Sequence, residues 1–254
     1  IGREDKDVSD AVHDILAGEG VNIRLNAECI GIGKKGDGVY VQLYCRSGAK
    51  EVTGSHLLVA VGRRPNTDDL GCEKAGLEVD ERGYIVVDDQ LRTSVAGIWA
   101  LGDCNGQGAF THTAYNDSEI VAANLLDNDP RRVTDRIPTY ALYTDPPLGR
   151  VGMTEQQVRD SGRKALVGKR PMERVNRAKA KGDTRGFIKV VVDAETEKII
   201  GAAILGVGGD EAVHLLTETM YADVSYKVVQ RAVHIHPTVS ELVPTVLGQL
   251  EPLE

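Results

Sequence analysis

The sequence predicts an α/β chain that gives way to an α+β domain, and three observations carry this. A helical pattern precedes the first strand-like runs; a short apolar strand, a tight turn and a helix follow one another near residues 97–127; after residue 139 strands cluster ahead of helices. At 254 residues and 41% hydrophobic content, the chain can bury more than one core.

The first element is "DVSDAVHDILAGEGV", where Val8, Val12, Ile15 and Leu16 recur at helical spacing and Gly18 and Gly20 supply the stop. A helix of about a dozen residues is expected there. "VNIRL" (21–25) reads as a short strand, and "GVYVQLY" (38–44) as a half-exposed one, because Val39, Val41 and Leu43 alternate with Tyr40, Gln42 and Tyr44. "HLLVAVG" (56–62) is apolar on both faces, the pattern of a strand buried between layers, and "GRRPN" breaks it with a turn. A helix followed by a strand is the rear of a βαβ unit, so the chain is expected to be truncated at its N-terminus.

The middle block, from about Arg63 to Arg132, holds hairpin-like "VDERGYIVVDD" (79–89), a buried strand "GIWALGD" (97–103) and a helix "AYNDSEIVAANLLD". In that helix Ile120, Ala123 and Leu126, or Ala122 and Leu125, can face inward. "DNDPRRVTDRIP" (127–138), charged and punctuated by two prolines, is the expected linker. The last block offers strands at 139–144, 187–193 and 198–206 and then helices, an α+β layer sandwich.

Composition excludes several function classes. A net charge of −8 argues against a broad phosphate-backbone footprint, with "ERVNRAKAKGDTR" (173–185) a local exception, so no nucleic-acid partner is expected. No apolar run is long enough to span a bilayer and no signal segment opens the chain, so no membrane partner and a cytoplasmic location are expected. Cys29, Cys45, Cys72 and Cys104 lie 16, 27 and 32 positions apart, without a redox-pair or zinc-ribbon spacing. They are expected to be reduced, mostly buried, small apolar residues.

Three motifs merit a chemical reading. "GIGKKG" matches the dinucleotide fingerprint through Gly31, Gly33 and Gly36, but a Gly-Asp-Gly turn and an alternating strand follow it. The fingerprint needs a helix N-terminus there to hold the pyrophosphate, so a hairpin turn is expected instead. "WALGD" (99–103) puts Asp103 at the carboxyl end of a strand, where open α/β sheets bind ligands, and Gly102 lets a ligand approach the backbone. Asp103 could accept from a polyol or ribose, or be a turn aspartate. Downstream, Thr111 or Thr113 is the expected N-cap of a helix whose positive end could face an electron-rich ring.

"HIHPTVSE" (234–241) admits three readings. His234 and His236 could pair on a metal, though no third ligand stands at a convincing spacing. Thr238 and Glu241 spell a capping box. Alternatively, Glu241 accepts a hydrogen bond from the His236 ring and fixes its tautomer for acid/base work.

Taken in order, "GREDKDVSDAV", "VAVGRRPNT", "GIWALGDCNG", "YTDPPLGRVGMTE", "GDTRGFIKVVVD" and "HIHPTVSE" resemble the class I pyridine nucleotide–disulfide oxidoreductases, the group of dihydrolipoamide dehydrogenase, glutathione reductase and mercuric reductase. The resemblance implies three parts: residues 1–62 as the rear of an NAD(P)-binding domain, 63–133 as the returning part of an FAD-binding domain, and 134–254 as an α+β dimerisation domain. It implies FAD contacts from Gly102, Asp103, Ala109, Phe110, Thr111 and His112, with Asp103 on the ribityl chain, and an NAD(P)-side turn at Gly62 and Arg63. His236, oriented by Glu241, would be the acid/base residue that each subunit of a homodimer lends to its partner. No resident metal is implied.

The pattern departs from a complete family member in lacking the glycine fingerprints and the redox cysteine pair. The chain is thus expected to be a C-terminal portion, by design or proteolysis, of an enzyme nearly twice as long. FAD and NAD(P)H would belong to the parent and not be retained by this portion alone. The acceptor is expected to be a small-molecule or protein disulfide, or a metal ion. "GDC" and "DTRGFIK" lean toward mercuric-reductase-like members, yet "LGQLEPLE" carries no mercury-binding cysteine pair. The alternative is that the chain in isolation is an inactive, non-catalytic dimerisation module without flavin.

Overall fold

A computed structural model describes residues 1–44 and 50–254. In chain order the elements are α1 (Lys6–Gly18), β1 (Glu28–Lys35), β2 (Gly38–Tyr44), β3 (Glu51–Gly54), α2 (Cys72–Ala75) and α3 (Thr111–Ala122). There follow β4 (Thr139–Leu142), β5 (Leu148–Gly152), α4 (Glu155–Asp160), β6 (Ala165–Pro171), α5 (Asn176–Lys181), β7 (Phe187–Asp193) and β8 (Ile199–Leu205). The chain closes with α6 (Gly209–Ala212), α7 (His214–Tyr221), α8 (Lys227–Arg231), α9 (Val243–Leu247) and β9 (Glu251–Pro252). They form two compact units, one of Ile1–Ile23 with Ile137–Glu254 and one of Arg24–Arg136.

The first unit is built on an antiparallel sheet of order β4-β5-β8-β7-β6-β9. Every residue of β7 and β8 is buried, in keeping with "IIGAAIL" being apolar throughout and "FIKVVVD" carrying only Lys189 and Asp193 as polar residues. Side chains alternate across a strand, so each face needs its own cover. Ile188, Val190, Ala202 and Ile204 pack with Leu216 of α7, Val229 of α8 and Val246 of α9. Phe187, Ala203 and Leu205 pack instead with Val8, Val12 and Ile15 of α1. The first helix, 13 residues long, thus belongs by packing to this sheet. Leu216 is fully buried, and Leu216→Ala is expected to destabilise the protein by about 3 kcal/mol through lost transfer energy plus a cavity, measurable by urea unfolding.

In the second unit, β1, β2 and β3 form an antiparallel meander. The register pairs Lys35 with Gly38, leaving Gly36 and Asp37 as a two-residue turn. Gly36 sits at φ 59, which such a turn demands at its first central position. "GIGKKG" is therefore a hairpin, as its flanking pattern required.

Other expectations of regular structure fail here. Residues 21–25 form no strand, and neither do residues 56–62, where Leu58 and Val61 are 87% and 92% exposed. A strand exists only through neighbours that take its hydrogen bonds, and among the described residues none pairs with 56–62. Residues 79–89 and 97–103 keep only the isolated bridges Val79 to Ile85 and Arg92 to Trp99. The Asp80 carboxylate accepts from the amides of Arg82 (2.9 Å) and Tyr84 (2.8 Å), closing a turn without a ladder. In α3 Ile120 is buried, and Ala123 just beyond it as well, whereas Leu125 and Leu126 are exposed on a π-helical turn, Ala123–Asp127. Among the cysteines, Cys72 is buried, Cys104 half-buried and Cys29 exposed, the last because β1 presents an open face. Cys45 lies outside the described residues.

Candidate functional site

Residues expected to touch cofactors and residues expected to do acid/base chemistry fall in different units, and each set has its own geometry.

In the Arg24–Arg136 unit, the chain reaches Leu101 extended and reverses at Gly102 (φ 75) into a 3-10 turn, Gly102–Asn105. A side chain at Gly102 would be strained at this φ. Asp103 projects from that turn, its side chain 46% exposed. Its Oδ2 accepts from Arg63 Nη2 at 2.5 Å, while Arg63 Nη1 donates to the Ala109 carbonyl at 2.8 Å. Arg63, expected on the nicotinamide side, is thereby joined to two residues expected on the flavin side. Gly62, beside it, has φ 124.

The helix start differs from expectation in its cap. The N-cap position falls on Phe110, not on either threonine. Thr113 acts from inside the first turn: its hydroxyl accepts from the Phe110 amide (3.2 Å) and donates to the Phe110 carbonyl (2.8 Å). Capping by a third-position side chain satisfies the same backbone group that a reciprocal capping box would. The rings of Phe110 and His112 stack at 5.1 Å with 11° between planes. Thr111 opens α3.

Sequence reasoning missed what holds this turn. Asp117 is 2% exposed, and its Oδ2 accepts from the Gly102 amide (2.8 Å) and Asn105 Nδ2 (2.9 Å). Its Oδ1 takes the guanidinium of Arg136, whose Nε donates to Asn116 Oδ1 at 2.9 Å. The available signal was an aspartate three residues before Ile120, on the inward stripe of an amphipathic helix. Cys104, in the same turn, donates its thiol to the Leu101 carbonyl at 3.2 Å. Burial, with help from Asp117, pushes that thiol up and keeps it protonated.

In the other unit, the His236–Pro237 peptide is cis. His236 Nδ1 lies 2.9 Å from Glu241 Oε2 and 3.1 Å from Oε1. A carboxylate accepts, so Nδ1 carries the hydrogen, which leaves Nε2 of the 66%-exposed ring as the acceptor nitrogen. The capping reading holds alongside this in part: the Glu241 amide donates to Thr238 Oγ1 at 3.2 Å, while the carboxylate turns to the histidine. His234 is directed elsewhere, its Nδ1 3.2 Å from the Ala232 carbonyl. The segment carries exposed apolar side chains, Val233 at 100% and Ile235 at 80%.

The same unit contains buried charge that the sequence reading passed over. Lys189 Nζ contacts Asp5 (2.9 Å), Asp7 (2.8 Å) and Glu155 (2.7 Å), so the three carboxylates surround an ammonium. Burial raises the Asp5 carboxyl, but Lys189 and the Glu155 and Gln156 amides overcome it and hold the group below its usual value. Arg150, 1% exposed, lies with its Nε 3.3 Å from Glu4 Oε2, and Tyr140 donates to the same carboxylate. Burial, then the Glu4 carboxylate, pushes the Tyr140 phenol far up. A lone lysine within an apolar strand was the readable trace of this cluster.

Known proteins match along nearly the whole chain. A family model described as pyridine nucleotide-disulphide oxidoreductase covers residues 2–118, and its dimerisation domain covers 138–247. The chain is 39% identical over 241 residues to "Probable pyridine nucleotide-disulfide oxidoreductase RclA" of Escherichia coli (strain K12), covering 94% of this chain and 54% of that protein. It is 34% identical to dihydrolipoyl dehydrogenase of Thermus scotoductus (93% and 51% covered) and 31% identical to mercuric reductase of Streptomyces lividans (94% and 50%). Among solved structures, the Cu(II) complex of the HOCl-induced flavoprotein disulfide reductase RclA from Escherichia coli superposes with TM-score 0.90 at 36% identity, covering 97% of this chain and 56% of that one. LpdA from Mycobacterium tuberculosis gives 0.85 at 25% identity, covering 96% and 52%. The chain belongs to the class I pyridine nucleotide–disulfide oxidoreductase family. It spans about half the length of the curated relatives it matches.

Proposed function

We propose that this chain supplies the flavin-side turn, part of the NAD(P) side and the acid/base pair of a homodimeric FAD-dependent oxidoreductase. FAD, when bound, would carry reducing equivalents from NAD(P)H toward a disulfide or metal-ion acceptor. The Cu(II) complex of a similar flavoprotein makes copper a member of the metal-ion class to assay. The observation that carries the reading is the His236–Glu241 pair: a ring held by a carboxylate at Nδ1, with Nε2 of the exposed ring left to give or take a proton. The bared apolar side chains beside it, Val233 and Ile235, suit a subunit contact that brings His236 to a partner's site.

The flavin-side residues fit a polyol. Asp103 Oδ1 has no partner among the described residues and can accept a hydroxyl, and Gly102 adds no side chain to the approach. Ala109, Phe110, Thr111 and His112 bring the N-terminus of α3 beside the same turn, and its first-turn amides lie outside the helix's own ladder. Within this reading, residues 63–133 serve FAD, Gly62 and Arg63 lie toward the nicotinamide, and 134–254 dimerise. No helix among the described residues is long and apolar enough to cross a membrane.

Two measurements test it. The full-length protein is expected to show flavin absorbance bands and diaphorase activity, and this portion alone neither; a colourless, inactive full-length protein would remove the flavin reading. Asp103→Asn is expected to weaken FAD binding about tenfold, roughly 1.4 kcal/mol, the scale of one hydrogen bond. Equal FAD affinity in a fluorescence titration would remove Asp103 from the site.

A further inference from the structure

We propose that Asp117, clamped by Arg136, is the positioning residue that sets the Gly102–Asn105 turn and so aims the Asp103 carboxylate at the flavin's ribityl chain. This rests on the FAD reading above and adds to it a residue that touches no cofactor.

Asp103 has no anchor of its own in the protein core. Among the described residues its side chain's polar contact is with Arg63, and both side chains are substantially exposed, at 46% and 67%. Its direction must therefore come from the backbone on either side. The residue before it, Gly102, donates its amide to Asp117 Oδ2, and Asn105, two residues after it, donates Nδ2 to the same oxygen. One buried carboxylate oxygen thus brackets the aspartate. Asn105 extends the bracket, donating to the Ala100 carbonyl (3.0 Å) and accepting from the Gln107 amide (2.8 Å), so the chain is held on entry to and exit from the turn.

The electrostatics favour a fixed geometry. A buried carboxylate is costly without a counter-charge, and Arg136, only 12% exposed, supplies it through Oδ1. Arg136 is held in its turn by Asn116, so the clamp has little freedom to swing away. Asp117 lies on α3, the helix whose N-terminus carries Thr111 and His112, and Ala114 of that helix lies 3.3 Å from where a Gly102 side chain would begin. Both halves of the flavin-side surface therefore take their relative placement from one side chain. Amide donors to a charged acceptor are among the stronger hydrogen bonds, and losing one leaves a buried donor unmet.

Cys104 provides an internal reporter. Its thiol is half-buried in the turn, bonded to Leu101, so its alkylation rate reads the turn directly and independently of flavin. The experiment compares the holoprotein and its Asp117→Asn, Arg136→Gln and doubly substituted forms. Iodoacetamide labelling is followed site by site by mass spectrometry, and FAD release by fluorescence. Asp117→Asn sets an amide against the Arg136 guanidinium and is expected to raise Cys104 alkylation, with FAD removed, about tenfold and to weaken FAD binding about tenfold. Arg136→Gln is expected to do the same in smaller measure. The double variant can donate from Asn Nδ2 to Gln Oε1 while Asn Oδ1 keeps both turn donors, so it is expected to return within about threefold of wild type in both readouts.

Faster alkylation with unchanged FAD affinity overturns the positioning role, as does unchanged alkylation of the Asp117→Asn protein after FAD removal. Loss of FAD in the single and double variants alike, with wild-type Cys104 reactivity, also overturns it. Full-length wild-type protein that takes up no FAD overturns the flavin reading itself, and this proposal with it.

Discussion

Replacement of His236 by alanine is expected to lower turnover of the physiological acceptor about 10²- to 10⁴-fold, the range of a single general acid/base group. Flavin reduction by NAD(P)H is expected to stay close to wild type, because the exchangeable Nε2 would serve the acceptor side. Glu241→Gln should fall between the two. Its amide can still accept from Nδ1, keeping the ring oriented, but it no longer offers a negative charge to the imidazolium that forms on proton uptake. Stopped-flow flavin reduction and steady-state turnover separate the half-reactions. Unaltered turnover in His236→Ala would remove the residue from the mechanism, and an equal loss in both half-reactions would point to damaged flavin binding instead. Thr238→Ala is a useful companion, since the threonine hydroxyl caps the Glu241 amide without touching the histidine.

The second large effect is one of stability. Lys189→Met is expected to cost about 3–5 kcal/mol at pH 7, because it leaves Asp5, Asp7 and Glu155 facing one another without the cation they share, Asp7 keeping only Lys169 and Glu155 only Arg159. The pH dependence gives the cluster a signature. Burial lowers the Lys189 ammonium, but Asp7, Glu155 and Asp5 more than offset this and raise it above the ordinary lysine value. Its contribution is full below the unfolded value, about 10.4, and is lost as pH rises through the folded one. Asp5 and Asp7 are raised by burial but lowered overall, Asp5 chiefly by Lys189 and Asp7 by Lys169 and Lys189. Their contribution is full above the unfolded value, about 3.9, and is lost as pH falls through the folded one. Wild-type stability from this cluster should therefore hold between about pH 5 and pH 10. In Lys189→Met the carboxylates bind protons more readily, so the deficit against wild type should shrink as pH drops toward 4. Urea midpoints at pH 4 and 7 decide it: a deficit that stays constant over that range would mean the lysine contributes packing rather than charge.

The candidate site was legible in proportion to how local its chemistry is. His236, Pro237, Thr238 and Glu241 are neighbours in sequence, and the hydrogen bonds joining them are made within one short segment. Asp103 was readable only as one of two things, a ligand contact or a turn aspartate, because a glycine–aspartate pair ending an apolar run suits both, and it does lie in the Gly102–Asn105 turn. Its supports were not readable. Asp117 and Arg136 stand 14 and 33 positions further on, and nothing in the spacing says that they meet under the turn. The strand expected at 56–62 marks the opposite failure. Its apolar pattern is plain, but a pattern specifies only a surface, and whether it becomes a strand depends on partners that no described residue supplies.

The sequence by itself indicated the α+β character of the C-terminal block, the hairpin hidden in a dinucleotide-like motif and, as one of three readings, the histidine–glutamate pair, while six motifs in order carried the resemblance to the family. The structural ones follow from periodicity, turn chemistry or short-range bonding, which act over a few residues. Only the tertiary structure decided that the first helix covers the sheet of the C-terminal block, that Lys189 is enclosed by carboxylates from Asp5, Asp7 and Glu155, and that one buried aspartate holds the turn bearing Asp103. Those are pairings across more than 10 to more than 180 positions, selected because a buried charge must find its complement wherever the fold brings one within reach.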